Sequence, residues 1–129
     1  MLNTPPTFSW YLAGKVFKWM LSRGGLDYFE KQNKLKASML YDFIDNSDLY
    51  ENSIDPNSRS IMNVSFTLKD ETKGSLFLEE ASNNGLLNLK GHRSVGGMRA
   101  SIYNAMPVEG VKRLIEFMEH FESKPEYNL

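Results

Sequence analysis

The amino-acid sequence predicts an α+β (or α/β) fold in which a short, mostly antiparallel sheet is covered by helices. Two long helical stretches open the chain, and Met62 to Leu68 then alternates apolar with polar residues at a period of two. Near the end, Val108, Val111, Leu114, Ile115, Met118 and Phe121 recur at helical spacing. Strict alternation means one covered face and one wet face, which is the pattern of an antiparallel strand.

The first helix is expected from Phe8 to Leu21, with Thr4 as its cap and Pro5 or Pro6 in its first turn. Phe8, Leu12, Val16, Trp19 and Met20 form one stripe, while Trp10, Phe17 and Leu21 lie off it. A helix so apolar is expected to be covered on two sides. Gly24-Gly25 ends it. A second helix runs from Leu26 to Ile44 with Phe29, Met39, Leu40, Phe43 and Ile44 inward, and its polar middle, Lys31 to Lys36, reads as a solvated face. Asn46 to Asp48 is a turn, Leu49-Tyr50 a short strand, and Asn52 to Asn57 a loop around Pro56. After the strand Met62–Leu68 come a short helix, Ser75 to Asn84, stopped by Gly85, and an apolar run, Leu86 to Lys90, expected to be a strand. Glycine-rich Gly91 to Gly97 follows, then a second alternating run, Met98 to Tyr103, and Pro107 opens the last helix.

A chain of 129 residues suits one domain with a modest core. A formal net charge of -1 gives no overall attraction to nucleic acid or to a membrane surface. With no cysteine, disulfides, zinc–thiolate sites and thiol catalysis are excluded. No apolar run approaches the ~20 residues that span a bilayer. The start, Met1 to Pro6, has neither the basic flank nor the apolar stretch of a signal peptide. The expectation is a cytoplasmic protein. No dinucleotide fingerprint, phosphate-binding loop, nucleophile elbow or metal-ligand spacing occurs.

Two places carry residues suited to chemistry. In Gly91-His92-Arg93-Ser94-Val95-Gly96-Gly97-Met98-Arg99, glycines allow close backbone approach to a ligand. Arg93 and Arg99 offer planar forks that match carboxylate or phosphate, and His92 adds a further donor. No acid lies among them, so an anion is expected. Arg99 also belongs to the alternating run, on the face opposite Met98 and Ala100, where a strand would hold it firmly. Spacing alone leaves a second reading open, in which His92 and Arg93 decorate a surface turn and Arg99 pairs with Glu79 or Glu80. The other place is Asn3-Thr4, ahead of two prolines. A helix N-terminus there is either a phosphate site or simply capped by Thr4, and the simple cap is the commoner outcome.

At these places the sequence resembles the phosphoserine aminotransferases. The resemblance is carried by Asn3-Thr4-Pro5-Pro6-Thr7-Phe8, by Leu40-Tyr41 through Ile44-Asp45-Asn46-Ser47, and by Ser58-Arg59 to Met62-Asn63-Val64. It continues in Phe77-Leu78-Glu79-Glu80, in Leu89-Lys90-Gly91-His92-Arg93, and in the long run from Val95-Gly96-Gly97-Met98-Arg99 to Pro107. It extends over nearly the whole chain, to about Phe121.

The resemblance implies the C-terminal portion of a class V, fold-type-I aminotransferase that depends on pyridoxal 5'-phosphate. Such an enzyme is a homodimer whose subunits share each active site. It exchanges an amino group between glutamate and 3-phosphohydroxypyruvate, giving phosphoserine and 2-oxoglutarate. It serves serine biosynthesis and, in many bacteria, a step toward pyridoxine. Carried over by position, Asn3 and Thr4 reach the cofactor phosphate across the dimer, His92 and Arg93 hold the substrate phosphate, and Arg99 grips the α-carboxylate. Residues 1–24 become a linking helix with the cofactor-phosphate motif, 25–123 the C-terminal small domain, and 124–129 a polar tail.

The family's Schiff-base lysine, its aspartate at the pyridine nitrogen and its stacking aromatic belong upstream of the matched region. None of the ten lysines here stands in that lysine's context, so no catalytic residue is assigned to this chain. The chain alone is expected neither to bind pyridoxal phosphate tightly nor to transaminate, and its first helix is expected to drive homo-oligomer formation. A free-standing anion-binding or interaction domain, or an inert fragment, are the alternatives. Met1 is expected to be either an initiator or an internal residue of a longer chain.

Overall fold

A computed structural model describes residues 3–124, so Met1-Leu2 and residues 125–129 of the expected polar tail lie outside the described residues. In chain order the elements are α1 (Thr7–Ser22), α2 (Gly25–Asp45), β1 (Tyr50–Glu51), β2 (Asn63–Leu68), α3 (Gly74–Asn83), β3 (Met98–Ser101) and α4 (Val108–Glu122). Two compact units divide between Gln32 and Asn33, with α2 running through the boundary.

In the first unit, α1 starts later than Thr4 can cap. Pro6 occupies the capping position, its carbonyl accepts from the Trp10 N–H at 3.1 Å, and no side chain caps the helix. Thr4 sits two residues too early, which corrects the expectation of a Thr4 cap. No residue of α1 is buried. Trp10, Phe17 and Leu21 are 64%, 63% and 74% exposed, so that side lies open, and on the other stripe Phe8, Leu12 and Val16 are exposed while Trp19 and Met20 are half-buried. Gly24 and Gly25, at φ 110° and 70°, turn the chain into α2. There Phe29 is buried and packs its ring 4.9 Å from that of Trp19.

The second unit is built on a three-stranded sheet in the order β1-β2-β3, antiparallel throughout. The alternation of β2 buries Val64, Phe66 and Leu68 and leaves Asn63, Ser65 and Thr67 half-buried on the other face. β3 repeats the pattern, with Met98 and Ala100 buried and Arg99 and Ser101 half-buried. Pairing places Arg99 opposite Ser65 and Met98 opposite Phe66. The apolar face packs on Leu40 and Ile44 of α2, Phe77 and Ala81 of α3, and Val111, Leu114, Met118 and Phe121 of α4. Phe77 lies at the centre, its ring 5.2 to 6.0 Å from those of Tyr50, Phe66, Phe117 and Phe121.

Two further expectations are corrected here. Leu86 to Lys90 forms no strand, and only an isolated bridge between Lys90 and Met98 remains of it. Gly85 at φ 78° and Asn88 at φ 61° bend the segment out of extended geometry. The polar middle of α2 is not a uniform solvated face, because Asn33 and Lys36 are 3% and 1% exposed. Among the described residues no helix is long and apolar enough to cross a membrane.

Candidate functional site

The glycine-rich segment between the Lys90 bridge and β3 is a closed loop. The Gly91 N–H donates to the Gly97 carbonyl at 2.8 Å, and the Val95 and Gly96 N–H groups both donate to the His92 carbonyl, at 2.9 and 2.8 Å. Two of its glycines are required by sterics. A Cβ on Gly91 would stand 2.0 Å from the Gly96 carbonyl oxygen, and one on Gly97 would stand 2.8 Å from that of Phe66. Gly97 also has φ 61°, a left-handed conformation that costs side-chain-bearing residues.

His92 and Arg93 project from this loop and are exposed. With Gly91, Thr67, Lys90 and one acid, Glu71, they line a groove of about 480 Å³. The His92 ring is held by Ser94, a residue the sequence did not single out. The Ser94 hydroxyl lies 2.7 Å from Nδ1, and the Ser94 backbone N–H donates to the same nitrogen at 3.3 Å. Both contacts engage Nδ1 and orient the ring, which leaves Nε2 as the ring nitrogen available to a ligand.

Arg99 is held differently. Its N–H donates to the Leu89 carbonyl at 2.7 Å, which ties β3 to the segment before the loop. Its side chain shares the polar face of the sheet with Asn63, Ser65, Thr67 and Ser101. Arg99 Nε is buried and has no hydrogen-bond partner. Glu80, one of the acids that could have neutralised it, instead receives Lys124 at 2.6 Å. Arg99 makes no ion pair among the described residues. A buried guanidinium nitrogen without an acceptor is costly unless a ligand supplies one.

The structure thus brings His92 and Arg93 to one groove. Arg99 follows two residues after Gly97 but does not line that groove. Asn3 and Thr4 lie before α1 in the first unit. No group of three acidic or histidine side chains suited to a metal occurs among the described residues.

Sequence reading missed Lys36 and its neighbour Asn33. Lys36 Nζ donates to the carbonyls of Ile102, Tyr103 and Met106, at 3.0, 2.7 and 2.9 Å. Asn33 Nδ2 donates to Asn104 Oδ1 at 2.7 Å. Burial lowers the Lys36 pKa from the ordinary lysine value. A signal existed, since positions 29, 33, 36, 37, 40 and 44 form one helical stripe.

Lys36 gives its three protons to carbonyls, and Lys73 and Lys124 face Asp70 and Glu80. The cations of the Gly91–Arg99 segment suit the anionic ends of a substrate, and no chemical step on a cofactor is assigned to these residues.

The family model for class-V aminotransferases matches residues 1–114. The phosphoserine aminotransferases of Shewanella woodyi and Acinetobacter baylyi are each 59% identical over 96% of this chain and 34% of their own length. Among solved structures, the phosphoserine aminotransferase from Bacillus circulans subsp. alkalophilus is similar at 48% identity with a TM-score of 0.88. The PLP-bound phosphoserine aminotransferase from Trichomonas vaginalis is similar at 43% identity with a TM-score of 0.85. These two matches cover 93% and 92% of this chain and 34% of each solved chain. The chain therefore spans about a third of the length of the curated relatives it matches. It belongs to the class-V aminotransferase family.

Proposed function

We propose that this chain is the substrate-gripping portion of a phosphoserine aminotransferase, acting in serine biosynthesis in the cytoplasm. The observation that carries the reading is Arg99, half-buried on a strand with its Nε buried and unpartnered. In this role Arg99 takes the α-carboxylate common to phosphoserine and glutamate. His92, through Nε2, and Arg93 take the phosphate or the glutamate side-chain carboxylate. Both substrates carry two anionic ends, and a site serving them in turn needs fixed cations at two places. Residues 1–24 act as the linking segment and 25–123 as the substrate domain. Asn3 and Thr4 face the phosphate of pyridoxal phosphate across a homodimer. The cofactor supplies the electron sink for amino transfer, and its lysine comes from the two thirds of the relatives' length that this chain does not span. Alone, the chain binds substrate anions weakly and does not transaminate.

Titration of the 15N-labelled chain with L-phosphoserine, followed by NMR, tests the reading. Charge pairs open to water are worth about 1 kcal/mol or less each, so two such contacts give binding in roughly the tens-of-millimolar range or weaker. The expected shifts centre on the Arg99 Nε–H and the Gly91–Gly97 amides, and Arg99→Ala weakens binding about fivefold. Binding that ignores Arg99→Ala would favour a general anion-binding domain, and no binding at all an inert fragment.

A further inference from the structure

We propose that Lys36 is the positioning residue for Arg99. The ligand arm of this inference rests on the reading of Arg99 given above.

β3 is the edge strand of the sheet and only four residues long. Its apolar face is Met98 and Ala100. A slip of two residues along β2 would keep the alternation, and so the inside and outside faces, yet carry Arg99 about 7 Å along the strand. Side-chain patterning alone therefore does not fix where the guanidinium stands. Something must hold β3 lengthwise.

Lys36 is placed to do this. It rises from α2 into the buried junction where β3 ends and α4 begins, and its three acceptors all lie between Ile102 and Met106. An ammonium has three protons, and here each has its own carbonyl. A neutral amine would leave one carbonyl without a donor. Lys36 makes no ion pair among the described residues, so its charge is offset by backbone dipoles alone. One turn earlier on the same stripe, Asn33 holds Asn104 within the same junction. Arg99 stands three positions before Ile102, whose own N–H donates to the Met62 carbonyl at 2.8 Å. The opposite end of β3 is held by its pairing with β2 at Met98 and Arg99, by the Arg99 N–H to Leu89, by the Lys90 bridge and by the Gly91–Gly97 closure. Removing the tripod loosens the end of β3 that runs into Tyr103 and Met106, and leaves the Arg99 registry to the β2 ladder and the loop side alone.

The test compares the wild-type chain with Lys36→Met, which keeps length and burial but has no donor. Lys36→Gln, which keeps two N–H donors on a shorter stem, is the milder variant. Native-state amide exchange reads the positioning without any ligand. Exchange at Arg99 and Ile102 should accelerate at least tenfold more than at Lys69, whose N–H donates to Leu49 at the far side of the sheet. The Arg99 Nε–H resonance should shift or broaden in the same variant. Equal acceleration at all three amides, or none, would overturn the proposal. So would a chain left unfolded by both substitutions, since Lys36 would then be a global stabiliser.

A second arm uses two ligands. Phosphoserine carries both a phosphate and an α-carboxylate, and phosphoethanolamine carries the phosphate only. Lys36→Met should weaken phosphoserine about three- to fivefold and phosphoethanolamine less than twofold. Equal losses would show that Lys36 does not act through Arg99. If the wild-type chain binds neither ligand, the gripping function fails while the exchange contrast still decides the role of Lys36.

Discussion

The Gly91 N–H donates to the Gly97 carbonyl at 2.8 Å, and the same closure leaves no room for a side chain on Gly91. A methyl group there would meet the Gly96 carbonyl oxygen at 2.0 Å, well inside contact distance. Backbone rather than a flexible side chain is the obstacle, so the loop must open to accommodate it. Gly91→Ala is expected to cost about 1–3 kcal/mol, as overpacking of a tight site does. It should also weaken phosphoserine binding several-fold, up to about fivefold, because His92 and Arg93 ride on the loop. Gly96→Ala serves as the control, since a Cβ there meets nothing within 4 Å and strains only the φ of 79°. Equal effects of the two substitutions on binding would show that loop closure does not place the cations.

The alkaline limb of stability should carry the mark of Tyr50. Its phenol is buried and donates to the Met118 carbonyl at 3.0 Å. Burial, with the Glu122 and Glu80 carboxylates adding to it, raises its pKa far above the ordinary tyrosine value. Below about pH 10 the phenol is protonated in both folded and unfolded chains, and its contribution is fully present. Above that, the unfolded chain loses the proton and the folded chain keeps it. Stability then falls with rising pH, by up to about 1.4 kcal/mol per unit. Lys36, lowered by burial, acts in the opposite direction, so the comparison must keep it. Urea unfolding of Tyr50→Phe should show a flatter limb above about pH 10, after a pH-independent loss of about 1 kcal/mol for the missing hydrogen bond. A limb as steep as the wild type's would remove Tyr50 as its cause.

Phe77 offers a test of the core. It is fully buried, and its ring meets four others from β1, β2 and α4 within 6.0 Å. Phe77→Ala is expected to cost about 3–5 kcal/mol by calorimetry or denaturant unfolding, the range for an aromatic cavity in a close-packed core. A loss under about 1 kcal/mol would mean that the core collapses around the gap.

What the sequence revealed follows from how local each determinant is. Val64, Phe66 and Leu68 alternate because one face of β2 is covered, and that pattern needs no knowledge of what covers it. The same holds for the stripe from Val111 to Phe121 on α4. Leu86 to Lys90 misled because apolar content was read without the backbone. Gly85 and Asn88 take positive φ, and Asn is one of the few side-chain-bearing residues that does so readily. Lys36 was misread because a lysine is ordinarily solvated, and the three carbonyls that satisfy it lie more than sixty residues away. The cations of the Gly91–Arg99 segment were legible as a cluster. That Arg99 stands apart from the groove of His92 and Arg93 depends on β3 registry, which spacing does not report.

The open face of α1 gives the last prediction. Phe8, Trp10, Tyr11, Phe17 and Leu21 are each at least 60% exposed. Large apolar side chains in that density along one helix exceed what monomeric soluble proteins usually leave uncovered. Each buried side chain of this size gains about 1.5–3 kcal/mol, against an association cost of about 4–15 kcal/mol for lost freedom of motion. Four or five such residues are enough to offset the lower part of that range, so association should be concentration-dependent rather than obligatory. Light scattering is expected to show a dimer or larger species that dissociates on dilution. Phe17→Ser with Leu21→Ser should shift the midpoint to at least tenfold higher concentration, and far-ultraviolet circular dichroism should confirm that the helices persist. A wild-type chain that stays monomeric at high concentration would show that α1 does not drive self-association in this chain.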